Sequence, residues 1–329
     1  MEAHGERSPP HGGFVLGIDL GGTKTAVVTA GLDGAPLFVR RLPTRADQGA
    51  SRVIARVVGA AGDLMSKTAA SAGPLAAVAA VSPGIVLDDS VLLAPNNPGW
   101  ETLALARELR QGLGIDEVVV DTDAKAAALA EIRWGELAGI RNGIFLNLGT
   151  GIAVALVIDG RVVRGGHGAA GEIGYQLRGT PGEPVYADGR APLEDQVSGR
   201  AIGEQASALV GRDVTAAEAF AMAGTDPRVA ALIDDALYLL GVHLANLAIA
   251  ADPERIVVGG GMMGSRSVVL PRLADSMRRT VPFPPDLRVA RFLADAPLYG
   301  AVALALNAAG SIDGVAPRQP VVADSAVYE

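Results

Sequence analysis

The 329-residue chain contains no cysteine. That absence excludes a disulfide framework, a thiolate nucleophile and a zinc site with cysteine ligands. Histidine is nearly as scarce, with four copies. His4 and His11 lie in a polar leader and His243 in an apolar helical stretch, so only His167 stands in a candidate loop, and no metal-binding cluster is visible. Positive charge is the minority sign, 28 Lys and Arg against 36 Asp and Glu, for a formal net charge of -8. A protein that neutralises nucleic-acid phosphates with a basic surface is not expected from that balance. Long apolar runs are lacking as well. The longest, Ala236 to Ala251, is shorter than the ~20 residues a membrane span requires and carries His243 and Asn246, so it reads as a buried helix. The first ten residues are polar and include Glu2, Glu6 and Arg7, which does not read as a secretory leader. A soluble cytoplasmic protein is the expectation, with no membrane and no nucleic acid among its partners.

Hydrophobic residues make up 49% of the chain, which excludes a disordered composition. Glycine and proline, at 42 and 20 copies, punctuate short Val/Ile-rich runs, the texture of an α/β protein. Phe14 to Asp19 reads as a strand ending in a glycine-rich turn, followed by strands at Thr25–Thr29 and Ala35–Arg40. Ser51 to Ala69 has helical spacing, Ala76 to Val81 reads as a buried strand, and Glu117 to Val120 as a short strand leading into the helix Asp123–Arg133. The opening plan then recurs: strands at Asn142–Asn147, Ala153–Ile158 and Arg161–Arg164, with Gly149-Thr150-Gly151 where the first copy has Gly21-Gly22-Thr23. Two such halves suit a nucleotide held between domains. After Glu194 the chain reads as mainly helical, interrupted by a strand at Arg255–Val258.

Three motifs carry chemistry. Asp19-Leu-Gly-Gly-Thr-Lys-Thr puts a carboxylate at a strand end and backbone N–H groups in a tight turn. It suits either a phosphate, with Asp19 holding Mg²⁺ through water, or a plain hairpin. Its spacing is not that of a P-loop. Asp123, at a strand–helix junction, is either a proton acceptor for a substrate hydroxyl or a helix N-cap. Gly259-Gly-Gly-Met-Met-Gly264 matches the dinucleotide pattern, but it comes too late in the chain for a second βαβ half; a glycine-lined site for base and ribose fits better.

In order along the chain, these segments resemble the ROK family (repressors, open reading frames and sugar kinases). The resemblance runs from Phe14 to about Ala309. It rests on Gly17-Ile-Asp-Leu-Gly-Gly-Thr-Lys, Ala94-Pro-Asn-Asn-Pro-Gly-Trp100, Asp123-Ala-Lys-Ala-Ala-Ala-Leu-Ala-Glu131, Leu148-Gly-Thr-Gly-Ile, Gly168-Ala-Ala-Gly-Glu-Ile-Gly174, Leu193-Glu194 with Ser198-Gly199, and Ile256-Val-Val-Gly-Gly-Gly261. It implies an actin-like ATPase (ribonuclease H-like) fold with two α/β domains around a cleft, at residues 14–121 with about 296–310 and at residues 122–295, flanked by tails at 1–13 and 311–329. It also implies a likeness to dimeric enzymes that use ATP and Mg²⁺ to phosphorylate a sugar. By position, Asp123 would be the base for the sugar 6-hydroxyl, and Asn96, Thr122, Glu172, Tyr175 and Glu194 would contact the sugar. Gly21, Gly22, Thr23, Lys24, Gly149, Thr150, Gly151, Gly259, Gly260 and Gly261 would hold ATP.

The sequence departs from that family at three places. Thr122 stands where Asn usually precedes the catalytic Asp, and Lys125 where a later Asn is usual. Tyr175 replaces a His that binds both sugar and structural zinc, and Gly182 to Leu193 lacks the zinc cysteines, so no zinc is expected. The reading is a zinc-free hexose kinase acting on glucose or an amino-glucose such as 3-amino-3-deoxyglucose (kanosamine), because Thr122 shortens a side chain near C3 and Glu172 is an acceptor for an ammonium. The alternatives are a catalytically silent sugar sensor and a transcriptional regulator without its DNA-binding domain. About 13 residues before the first strand are too few for a helix-turn-helix.

Overall fold

A computed structural model describes residues 12–94 and 99–310. Their contacts divide into two units: residues up to Ala126 together with those from Leu298 onward, and Ala127–Pro297. The division falls inside a helix, a few residues later than the sequence reading places it, because the first turn of that helix packs with the sheet preceding it. The expected sugar ligand Asn96, and the tails up to residue 11 and from residue 311, lie outside the described residues.

In the first unit, Phe14–Leu20 is an almost unbroken apolar run, as a strand covered on both faces requires. It forms β1, the middle strand of a five-stranded sheet. β2 (Lys24–Gly31) and β3 (Pro36–Pro43) continue from it as an antiparallel meander, as the turn signals predict. Helix α1 (Ala50–Ala72) buries Val53, Ile54, Val57, Ala61 and Leu64, an i, i+3, i+4 stripe. It leads to β4 (Leu75–Ser82), parallel to β1. A small hairpin of β5 (Ile85–Val86) and β6 (Val91–Leu92) and helix α2 (Leu105–Leu113) precede β7 (Val119–Thr122), parallel to β4. Helix α3 (Asp123–Trp134) starts directly at the end of β7.

The second unit repeats the plan. β8 (Gly143–Leu148), β9 (Ile152–Ile158) and β10 (Arg161–Val162) form its meander, the last strand being shorter than the expected Arg161–Arg164. Helices α4 (Glu194–Val197), α5 (Gly199–Val210), α6 (Ala216–Met222) and α7 (Pro227–Ala251) follow. β11 (Arg255–Gly259), α8 (Arg266–Thr280) and β12 (Asp286–Val289) complete the sheet. The two strand orders, β3-β2-β1-β4-β7 and β10-β9-β8-β11-β12, correspond strand for strand.

Helix α7 is longer than the apolar run seen in the sequence. At 25 residues it is long and apolar enough to cross a membrane by length and composition, but half of its most apolar window is buried, within a core that includes Leu240, Leu244, Leu273 and Met277. The last helix, α9 (Ala296–Ala308), returns to the first unit. It lies so close to β1 that a Cβ on Gly17 would come 3.1 Å from the Val302 nitrogen, and so close to α3 that one on Gly300 would overlap the Ala126 carbonyl.

Candidate active site

In the first unit the chemistry gathers where the parallel strands end. Asp19 on β1 is level with Val81 on β4, which is level with Asp121 on β7. Asp19 and Asp121 therefore occupy one row of the sheet, two strands or ~10 Å apart. The carboxyl ends of parallel strands are where open α/β sheets bind ligands. The turn Gly21-Gly22-Thr23 leaves Asp19 on the same side. A Cβ on Gly21 would lie 2.6 Å from the Lys24 carbonyl oxygen, so the tight path needs glycine. The turn is fastened by residues that the sequence reading missed. Thr44 donates its hydroxyl to the Gly21 carbonyl (2.6 Å) and its N–H to the Thr23 carbonyl (2.9 Å), while Arg56 bonds the Thr44 carbonyl. Thr23 and Lys24 remain exposed.

At the start of α3 the N-cap is Thr122, whose hydroxyl oxygen accepts the Lys125 N–H at 3.3 Å. The Asp123 carboxylate accepts the Ala124 N–H (2.7 Å). The cap alternative considered for Asp123 thus belongs to its neighbour, and the Thr122 oxygen, expected against the sugar, already serves the helix. Burial raises the Asp123 carboxyl above the usual range, opposed by the Ala124 N–H and the charge of Lys125. Lys125 is almost wholly buried, its Nζ 3.4 Å from the Thr122 hydroxyl.

The second unit holds a cavity of about 760 Å³ whose walls include Gly149, Thr150, Gly199, Arg200, Phe220, Gly261 and Met262. The turn Gly149–Gly151 closes on itself through Gly149 N–H to the Gly151 carbonyl. It also receives the start of α5, where the Gly199 and Arg200 N–H groups donate to the Gly149 and Thr150 carbonyls. Gly261 lines the cavity, but Gly259 does not. Gly259 is a packing glycine, since a Cβ there would sit 2.8 Å from the Phe145 ring. Gly260 holds the turn instead, at φ 89°, with no room for a Cβ against the Leu148 carbonyl. Helix α5 is capped by Ser198, which accepts the Ala201 N–H; nothing in the sequence marked Arg200 or Phe220 as cavity walls.

Glu172, Tyr175 and Glu194 form one acidic cluster with Asp195. Glu194 accepts the Ile152 N–H at 2.9 Å and lies so near Gly151 that a Cβ there would be 2.6 Å from its Oε2. The expected sugar ligand is thus tied directly to the expected phosphate turn. Burial raises Glu194, against the Ile152 N–H and Arg200, whose guanidinium is 3.9 Å away. Burial, then the charges of Glu194 and Glu172, push the Tyr175 phenol up to about 12.

The segment after Tyr175 is where the sequence departs from the zinc-binding pattern. It has no cysteine, and the described residues contain no group of three metal-binding side chains. Its contacts are organic instead. Glu183 pairs with the Arg178 side chain at 2.9 Å and accepts the Arg178 and Gly179 N–H groups. Tyr186 meets Tyr175 edge-on at 5.6 Å between centroids, Gln176 bonds His243, and Arg190 pairs with Asp195.

Comparison with known proteins gives a consistent result. The ROK family model matches residues 15–308. The chain is 33% identical to an N-acetylmannosamine kinase of Shigella boydii over 302 residues, covering 88% of this chain and 97% of the relative. Its structure resembles that of a ROK hexokinase from Thermus thermophilus, with TM-score 0.71 and 31% identity over 89% of this chain and 97% of the other. It also resembles a ROK glucokinase from Streptomyces griseus in complex with glucose and AMPPNP, with TM-score 0.69 and 26% identity over 89% and 99% of the two chains.

Proposed function

This chain belongs to the ROK family and is an ATP-dependent sugar kinase, and from that premise we propose that it transfers the γ-phosphoryl group of MgATP to the 6-hydroxyl of a hexose. The observation that carries the reading is the carboxylate of Asp123 at the ligand-binding edge of the sheet, where Thr122 takes the Lys125 N–H of the helix start and one Asp123 oxygen takes the Ala124 N–H. As the bond from O6 to phosphorus forms, the bond from phosphorus to the β–γ bridging oxygen breaks, ADP departs, and the O6 proton passes to Asp123. A loose phosphoryl-transfer transition state asks for alignment and charge stabilisation more than covalent chemistry. The Gly21–Lys24 and Gly149–Gly151 turns supply N–H groups for the phosphates, and Asp19 would hold the Mg²⁺ of the nucleotide, whose charge would offset that of the transferring phosphoryl group. The cavity beside Gly149 and Gly261 takes base and ribose. Glu172, Tyr175 and Glu194 bind sugar hydroxyls, with Asn96. No structural zinc takes part. We place the enzyme in the cytoplasm, where ATP is supplied, as a homodimer, which sedimentation equilibrium tests directly.

A second reading, an amino-glucose substrate such as 3-amino-3-deoxyglucose, is favoured by the carboxylates of Glu172, Glu194 and Asp195 around Tyr175. A neutral hexose is favoured by the buried cation Lys125 beside Asp123. A coupled ADP assay with glucose, 3-amino-3-deoxyglucose and N-acetylmannosamine decides. A site built to pair an ammonium loses a large part of kcat/KM, 10²-fold or more, when the charge is replaced by a hydroxyl. Equal or better use of glucose removes the amino-sugar reading. No turnover with any sugar, alongside measurable sugar binding, removes the kinase reading in favour of a silent sensor.

A further inference from the structure

Arg200 has no part in the proposed transfer, yet it stands where two candidate sites of the second unit meet. The chain reaches it through a break between helices. Helix α4 ends at Val197, and Ser198 caps α5, whose first residues dock on the Gly149–Gly151 turn. There the Gly199 N–H donates to the Gly149 carbonyl at 2.9 Å and the Arg200 N–H to the Thr150 carbonyl at 3.2 Å. The same residue lines the cavity beside Gly149, Thr150 and Glu204. Its guanidinium meets three carboxylates: Asp195 at 2.9 Å, Glu204 at 3.1 Å and Glu194 at 3.9 Å. Asp195 also has Arg190, at 2.9 Å, and the Glu204 side chain is largely open to water. Among the described residues, Arg200 is the one cation in ion-pair range of the Glu194 carboxylate.

We propose that Arg200 is a positioning residue for Glu194, one that lets a carboxylate bind the sugar on the same turn that holds the phosphates of ATP. The proposal rests on the reading of Glu194 as a sugar ligand and of Gly149–Gly151 as a phosphate turn. Both tasks fall on one short stretch of backbone. Glu194 accepts the Ile152 N–H at 2.9 Å, and its Oε2 would lie 2.6 Å from a Cβ on Gly151. A triphosphate seated against Gly149 and Thr150 is then the neighbour of a largely buried carboxylate. Like charges repel far more strongly in such a low-dielectric place than in bulk water. An unscreened Glu194 either takes up a proton, and weakens as an acceptor for a sugar hydroxyl, or resists the nucleotide. A guanidinium suits the task, since it stays charged at any working pH and offers several donors in one plane. Arg200 presents it to both sides, as a wall of the cavity and as the ion-pair partner of the carboxylate. Burial pushes the Glu194 carboxyl up, and the Ile152 N–H and Arg200 oppose that rise. The arrangement makes compatible two ligands that their charges alone would set against each other.

The test is calorimetric titration of the best sugar into full-length wild type, Arg200→Met, Arg200→Gln and Arg200→Lys. Each titration is run alone, with saturating AMPPNP and Mg²⁺, and with saturating adenosine, which enters the cavity without phosphates. Wild type is expected to bind the sugar at least as well with AMPPNP as with adenosine. In Arg200→Met and Arg200→Gln, AMPPNP is expected to weaken sugar binding relative to adenosine by about 5–150-fold, the usual span of a coupling between two sites. By reciprocity the sugar then weakens AMPPNP binding by the same factor. Arg200→Lys, which keeps the charge, is expected to restore most of the wild-type ratio. A merely structural role lowers sugar affinity equally in all three conditions. An AMPPNP-to-adenosine ratio that is the same in wild type and in folded Arg200→Met therefore overturns the proposal. Failure of the underlying reading looks different and takes the proposal with it: wild type binds no AMPPNP, or Glu194→Ala binds the sugar as tightly as wild type. If Arg200→Met does not fold, Arg200→Gln, which keeps a donor for Asp195, carries the comparison.

Discussion

Asp123 sits where catalysis and stability ask for opposite things. Replacing it by Asn is expected to lower kcat by about 10²–10⁴-fold, the usual contribution of a general base, with sugar binding retained. The same substitution is expected to stabilise the fold at neutral pH. The carboxyl is raised in the native state, so the folded protein prefers the protonated form, and the ionised form is a cost at every pH above the unfolded range. Asn mimics the protonated acid. The gain in melting temperature, about 2–4 °C per kcal/mol relieved, is therefore present at pH 7 and disappears below about pH 4, where Asp is protonated folded and unfolded alike. Calorimetry across that range checks it. Asp123 stood out in the sequence by its place between a strand and an alanine-rich helix. The division of labour around it did not, because which of two adjacent cap-forming residues bonds the helix depends on backbone angles that residue identity leaves open. Lys125 appeared in the sequence only as a departure from a family pattern; its burial is a property of the packing.

At the scale of elements, the meanders and the strand–turn–strand repeat were legible because buried strands need unbroken apolar runs and their turns need glycine. What escaped was helix α2 and several elements that are short or on the edge. β12 is four residues with two charges and an exposed face, and β5 and β6 are two residues each, too few to show a period. The coupling of Glu194 to the Gly149–Gly151 turn was also invisible, since it joins residues 42 apart. It predicts that Gly151→Ala, whose methyl would press on the Glu194 carboxylate, raises KM for the sugar several-fold as well as KM for ATP. An effect on ATP alone would count against it. The loop after Tyr175 makes a second prediction. Desolvation raises its Glu183 carboxyl, but the N–H groups of Arg178 and Gly179 and the Arg178 side chain together outweigh it and hold the carboxyl below the usual range. A depressed carboxyl stabilises above its unfolded range and loses that effect as pH falls through its folded one. Glu183→Gln is therefore expected to open residues 176–193 to limited proteolysis at pH 7 and to match wild type in strongly acidic buffer.

The whole molecule should behave as a magnesium-dependent, zinc-independent enzyme. A zinc-selective chelator is expected to leave turnover and melting temperature unchanged, whereas removal of Mg²⁺ stops turnover. Stoichiometric zinc in active protein, measured by atomic emission, would contradict this. The duplicated architecture was readable from two Gly-Thr turns, and the structure extends it to sheets of one strand order. The length of α7 was not readable, because its first turns carry Arg228, Asp234 and Asp235, which end an apolar run without ending a helix. The return of α9 to the first unit has a consequence for how the protein is made. A ribosome delivers β1 early but the helix that closes over Gly17 about 275 residues later, with the 171 residues of the second unit in between. At roughly 5–20 residues per second, the newborn first unit waits some ten to thirty-five seconds with one face of its central strand uncovered, while the second unit, uninterrupted in sequence, has everything it needs to fold. Birth order and folding order are thereby reversed, and the bare strand is the stretch of this chain that a chaperone would find to hold.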